Sequence, residues 1–261
     1  MKPLAAAIAS LSLIACSSAQ AVPKAAPSAK AMLTRDDVRM VAPALDKYAQ
    51  DRVLGEVWKR PGLTPRDRSI VTLAALIARN QTIEMPYYLN LAIDTGVKPA
   101  EISEVITHLA FYSGWANAMA AVVVAKDVFA ERKIAADQLA AASPNLLALN
   151  EAAEAERAKR VGELFGAVFP GVVQYTTDVL FRDLWLRPGL APRDRSLVTV
   201  SSLIASGQVA QLTGHLNIGM TNGLTQPEIT EAITHFAFYV GWPNVFSTMP
   251  VAKDVFERRP R

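Results

Sequence analysis

Apolar residues in this chain run in long stretches broken by a few polar punctuation marks. SIVTLAALIA, starting at Ser69, carries β-branched residues that suit a strand, yet such runs continue past ten residues with neither alternation nor a hairpin turn. Length without alternation predicts buried helices. The punctuation agrees. Thr34-Arg35-Asp36-Asp37 reads as a capping box opening a helix that carries Val38, Val41, Leu45 and Tyr48. Thr225 with Glu228 forms a second such box, with Pro227 in the first turn where a missing N–H is harmless. Pro99 and Glu101 stand at the matching place upstream without the Thr. Gly96 and Gly223 follow apolar runs in contexts that suit a left-handed C-terminal cap. Glu151 to Arg160, rich in Ala, Glu and Arg with Glu156 and Arg160 at a supportive spacing, predicts a helical connection. The expected class is all-α.

The pattern occurs twice. RPGLTPRDRSIVTLAALIA from Arg60 returns as RPGLAPRDRSLVTVSSLIA from Arg187, an offset of 127 residues. The same offset carries Trp58 to Trp185, Gly96 to Gly223, His108 to His235, Trp115 to Trp242 and VAKDVF at Val124 to VAKDVF at Val251, without a gap. Two tandem domains follow, 34–133 and 151–259, joined by a linker at 134–150. With 51% apolar residues the 261-residue chain can bury one or two cores, and the duplication favours two.

A net charge of +3 with Lys and Arg interspersed among Asp and Glu excludes a nucleic-acid footprint. The first residues read as an export signal: Lys2, the apolar run Leu4 to Ala15, and the small-x-small site Ala19-Gln20-Ala21. A signal over residues 1–21 would release a chain with a flexible Ala/Pro/Ser leader at 22–33. Alternatively, Leu13-Ile14-Ala15-Cys16 resembles a lipobox, with Cys16 lipidated as a membrane tether. Either reading exports the protein, to the periplasm or to a membrane-anchored state. Cys16 is the only cysteine, so the remaining chain has no disulfide, no thiolate nucleophile and no cysteine metal cluster.

Three groups of polar residues sit near predicted apolar faces. The PRDR turns supply Arg66 and Arg68 in one copy and Arg193 and Arg195 in the other. They form either ion pairs that fix a helix start or a bidentate clamp for a substrate carboxylate. His108 and His235, one turn from Tyr112 and Tyr239, read as hydrogen-bonded core residues or as catalysts. His215 has no twin. Its counterpart is Tyr88, and one helical turn before each stand Gln211 and Glu84. One copy thus keeps an imidazole without a carboxylate and the other the reverse. No set of His and acids stands at metal-ligand spacing, so no metal is expected.

WKRPGL and WLRPGL leading into RDRS, the segment QLTGHLNIGMTNGLTQPEI, and the endings FYVGWPN and VAKDVF are similar to the carboxymuconolactone decarboxylase family, which shares its fold with alkylhydroperoxidase D. Both copies are covered. The resemblance implies two tandem all-α alkylhydroperoxidase D-like domains, an active pocket by the HLNIG helix, and a homo-oligomer in which a trimer makes a ring of six domains. One branch of the family carries Cys-x-x-Cys-x-x-x-His; here Gln208, Gln211 and His215, and Gln81, Glu84 and Tyr88, fill that spacing, so thiol peroxidase chemistry is not expected. The other branch carries an acid, then the His, then an Arg. His215 matches, Gln211 replaces the acid, and Asn217 falls near the Arg. The implied reaction is cofactor-free decarboxylation of a small carboxylated lactone. His215 would return a proton to carbon, the PRDR arginines and Gln211 would bind substrate, and Glu84 would supply the acid if copies or subunits face one another. The competing reading is an exported scaffold that binds ligand or keeps only the oligomer.

Overall fold

A computed structural model describes residues 33–259, and all regular elements among them are helical. The expected signal, leader and Cys16 fall outside them, except for Leu33. The first repeat contains α1 (Arg35–Val41), α2 (Pro43–Tyr48), α3 (Pro65–Ala78), α4 (Met85–Asp94), α5 (Pro99–Tyr112) and α6 (Trp115–Glu131). The second contains α7 (Glu151–Phe165), α8 (Pro170–Tyr175), α9 (Pro192–Ala205), α10 (Val209–Thr221), α11 (Gln226–Tyr239) and α12 (Trp242–Arg258). Between α2 and α3, and between α8 and α9, the chain winds through a π-helical turn, Ala49–Leu54 or Thr176–Phe181, and then a 3₁₀ turn, Val57–Lys59 or Leu184–Leu186.

The capping boxes form at Thr34 and at Thr225. Gly96 and Gly223 adopt φ of +94° and +103°, and the next residue's N–H reaches back to Ala92 O at 2.8 Å or Gly219 O at 2.9 Å. No neighbour lies within 4 Å of a Cβ at either glycine, so left-handed backbone alone demands Gly there. One expected helix is corrected. The run opened by Thr34 breaks at Ala42, because the residue before Pro43 is pushed out of the helical region. Its Val41, Leu45 and Tyr48 remain exposed.

α3 and α9, the two RDRS helices, pack against each other at the centre. Both are buried on nearly every face, their apolar residues in the core and their Asp, Arg, Ser and Thr buried with them. α5 packs on α9 and α11 on α3, so each repeat's His-bearing helix lies against the other repeat's central helix. This exchange produces one apolar core drawn from both repeats, inside one compact unit from Leu33 onward. The expectation of two cores is therefore corrected. Two repeats in tandem share a core because each central helix, buried on nearly every face, is covered by helices of both repeats.

The PRDR arginines hold this exchange together. Arg66 bonds Asp194 at 2.8 Å and Glu101 at 2.6 Å, while Arg193 bonds Asp67 at 2.9 Å and Glu228 at 2.6 Å. Burial works against the charge of Arg193, and Asp67 and Glu228 outweigh it, holding the guanidinium above its ordinary value. Arg68 and Arg195 are fully buried. Arg195 reaches Glu104 Oε2 at 2.9 Å and Arg187 O at 2.8 Å, and Arg68 reaches Glu231 Oε1 at 2.8 Å and Arg60 O at 2.6 Å. Every one of these carboxylate partners except Glu101 and Glu228 belongs to the opposite repeat.

Candidate active site

His108 and His235 complete the buried networks. Arg195 has only donors, so its Nη1 at 3.3 Å makes His108 Nδ1 an acceptor. The other nitrogen, Nε2, then carries the proton and donates to Thr199 Oγ1 at 2.7 Å, which donates in turn to Arg195 O at 2.9 Å. Arg68, His235 and Thr72 repeat the cycle at 3.5, 2.8 and 2.7 Å. Burial, then the neighbouring arginine, pushes His108 well below its ordinary value and His235 down to about 3. Of the two readings of these histidines, the geometry fits neutral core residues.

Above each buried histidine lies a tyrosine, and beside it a tryptophan and one further ring. At the second repeat's site His108 stacks on Tyr112 at 4.7 Å, Trp185 Nε1 donates to Tyr112 Oη at 2.9 Å, and the third ring is His215. His215 lies parallel to Trp185 at 6.2 Å and edge-on to Tyr112 at 5.3 Å. At the first repeat's site His235 stacks on Tyr239 at 4.6 Å, Trp58 Nε1 donates to Tyr239 Oη at 2.7 Å, and the third ring is Tyr88. Tyr88 lies parallel to Trp58 at 6.1 Å and edge-on to Tyr239 at 5.6 Å. The two sets superimpose in kind and pose.

Their mouths differ. His215 opens on a cavity of about 370 Å³ lined by Phe111, Tyr112 and Ser113 from the end of α5 and by Leu203, Ser206, Gln208 and Gln211 from α9, α10 and the turn between them. Its Nδ1 is buried without a partner, and no hydrogen bond reaches the ring among the described residues. Burial holds the imidazole down to about 4. In the first repeat's site the Tyr88 hydroxyl meets the Tyr239 hydroxyl at 2.9 Å, joining the two phenols across the corresponding position. Phe181, supplied by the π-helical turn, stacks on the far side of Trp185 at 5.9 Å, and Arg157 lies 4.3 Å over Phe181. The column Arg157, Phe181, Trp185, His215 fixes the plane of the imidazole, and the π-helical turn aims Phe181 into it.

Of the residues singled out from sequence, His215 and Gln211 meet in this cavity. Glu84 does not join them within the chain. It is exposed at the start of α4 and faces the first repeat's site, where its charge helps to raise Tyr88 and Tyr239. The repeats do face one another, but the contribution from the first repeat is the end of α5. Arg66, Arg68, Arg193 and Arg195 line no part of the cavity, because opposite-repeat carboxylates occupy them. In this chain the four tie the repeats together. Tyr112, Phe111, Ser113, Ser206 and Phe181 were not singled out as site residues. The repeated FY-x-GW string that ends α5 was the available signal, but which repeat's cavity it would line depends on the exchange of helices.

The profile described as the Carboxymuconolactone decarboxylase family matches residues 43–127 and 170–254, one match per repeat at the offset found in the sequence. Among curated proteins, 4-carboxymuconolactone decarboxylase of Acinetobacter baylyi is 40% identical over 75 residues, 29% of this chain and 56% of that protein. Nitrosuccinic acid decarboxylase of Metarhizium robertsii is 37% identical over 70 residues, 27% of this chain and 49% of that protein. The chain thus spans about half the length of the curated relatives it matches.

Proposed function

We propose that this chain, which belongs to the carboxymuconolactone decarboxylase family, is a cofactor-independent decarboxylase with one working cavity, that of His215. The observation that carries the reading is the imidazole whose buried Nδ1 has no protein partner, standing in a cavity of about 370 Å³. A buried unpaired nitrogen costs about 1–3 kcal/mol, a cost the fold carries at this one imidazole. The two relatives are named for acids that place a carboxylate near an electron-withdrawing lactone or nitro group. A small polycarboxylic acid of that kind, such as a carboxylated lactone, is the substrate class proposed here.

In the reaction the bond between the carboxylate carbon and its neighbour breaks and carbon dioxide leaves. The electron pair moves onto the adjoining carbonyl or nitro group, and the resulting anion takes a proton at carbon. His215 supplies that proton and regains one from water. Burial keeps the ring neutral at pH 7, since it titrates at about 4. An anionic substrate beside it raises that value toward neutrality, by about 1–3 units, which favours the protonated ring. Gln208, Gln211, Ser113 and Ser206 offer neutral hydrogen bonds to the carboxylates. Turnover of 4-carboxymuconolactone and of nitrosuccinate by the purified chain, followed as carbon dioxide release, is expected to fall 10²- to 10⁴-fold in His215→Ala. Unchanged turnover in that variant would remove His215 from the reaction.

We also propose a homo-oligomer, a trimer presenting six repeats. α6 exposes Trp115, Met119 and Val122 in one stripe continuous with Phe111, and α12 exposes Trp242, Phe246 and Met249 with Phe238. The same surface is thus offered twice, as a closed ring of repeats requires. Sedimentation as a monomer at micromolar concentration would refute it. Export, with Cys16 as the alternative tether, remains a proposal from the sequence; among the described residues no helix is long and apolar enough to cross a membrane.

A further inference from the structure

Both sites hold the same tyrosine in the same way, yet only one of the two hydroxyls meets a second hydroxyl. Tyr239 Oη takes the Trp58 N–H and faces the Tyr88 hydroxyl at 2.9 Å. Tyr112 Oη takes the Trp185 N–H at 2.9 Å, and among the described residues nothing accepts its own proton. Tyr112 lines the same cavity as His215. Since Tyr88 and His215 share a ring pose, the phenol oxygen of Tyr88 marks, inside the same chain, where an oxygen bonded to this tyrosine sits.

We propose that the Tyr112 hydroxyl is the hydrogen-bond donor that holds the charge-bearing oxygen of the ligand in the His215 cavity, the place that the Tyr88 phenol fills in the first repeat's site. The proposal rests on the decarboxylase reading for the ligand's class, an organic anion whose charge lies on a carbonyl or nitro oxygen. Loss of carbon dioxide moves an electron pair onto that oxygen, so a donor aimed there binds the anion formed more tightly than the acid entering. Tyr112 keeps its proton throughout: burial raises its hydroxyl above the ordinary value, and Trp185 and the ring of His108 fix its position. The proton delivered to carbon still comes from His215.

The probe is 3-nitropropionate in its nitronate form, which carries charge on nitro oxygens as decarboxylated nitrosuccinate would. Calorimetric titration of the full chain is expected to show binding that weakens about ten- to a hundred-fold in Tyr112→Phe. Tyr239→Phe, which loses the same indole partner at the other site, is the control and is expected to bind like the unmodified chain. Equal affinity in Tyr112→Phe, an equal loss in Tyr239→Phe, or no binding by the unmodified chain overturns the proposal. Should Tyr112→Phe fail to fold, ring-labelled tyrosine in the unmodified chain gives the same answer. One resonance shifts on adding nitronate if the proposal holds, and none does if it fails. Tyr112-dependent nitronate binding without turnover of nitrosuccinate or the lactone would sink the decarboxylase reading alone. Turnover that needs His215 but tolerates Tyr112→Phe at full rate would sink this one alone.

Discussion

The two repeats build one site design twice and finish it differently. Each has a buried arginine and acid, a neutral histidine in a hydrogen-bonded cycle, a tyrosine held by an indole, and one variable ring. Where that ring is Tyr88, its own hydroxyl satisfies the neighbouring tyrosine. Where it is His215, the ring and Tyr112 line a cavity, and among the described residues no second hydroxyl meets Tyr112 and no partner meets the buried Nδ1. A duplicated fold thus separates what the scaffold needs, which is identical in both halves, from what a ligand would use, which is present in one.

Acid gives the largest way to sharpen that contrast. The histidines are buried neutral, His235 titrating at about 3 and His215 at about 4, while in the unfolded chain both titrate near 6.5. Between those values the unfolded chain binds more protons. Stability is therefore full above about pH 6.5 and is lost as pH falls toward 4 and below, by an amount on the order of 5 kcal/mol. Copying the first repeat's ring with His215→Tyr removes one such group, so its denaturant midpoint at pH 4.5 should rise relative to the unmodified chain. An unchanged pH dependence would mean that this ring is solvated.

The buried acids come next. Glu104 is almost wholly enclosed and bonds Arg195 and Arg187, the latter only 12% exposed, whereas Glu231 pairs with Arg68 and the half-exposed Arg60. Glu104→Gln should cost about 3–5 kcal/mol in urea unfolding, because it strands a guanidinium that cannot reach water. Glu231→Gln should cost less, since Arg60 can turn outward. Equal losses would show that exposure does not govern these pairs.

The smallest contrast is at the helix starts. Thr64 caps α3 by accepting the Asp67 N–H at 3.1 Å, and its twin Ala191 leaves α9 without a side-chain cap. Thr64→Ala should lose about 1 kcal/mol and Ala191→Thr regain a similar amount in thermal unfolding. A neutral Ala191→Thr would indicate that the offset copy no longer shares backbone geometry at this turn.

Much of the architecture was legible because local rules carried it. Capping boxes at Thr34 and Thr225, left-handed glycines at 96 and 223, and long unalternating apolar runs each act within a few residues. At Ala42 two local signals conflict, apolar spacing that continues a helix and the restriction Pro43 places on the residue before it, and the restriction wins. Of the site, His215 and Gln211 were legible from the mismatch between copies. Tyr112 was hidden by its own repetition: a residue present in both halves reads as scaffold until one twin is found bonded and the other free.

The sequence by itself determined the helices, their caps, the duplication and the single unpaired imidazole, since these follow from side-chain chemistry over one or two turns. Tertiary structure decided which repeat each charge would serve. Two central helices buried on nearly every face pack on each other, and that packing exchanged their partners. It made four arginines the ties between repeats and brought the end of α5 to the open site.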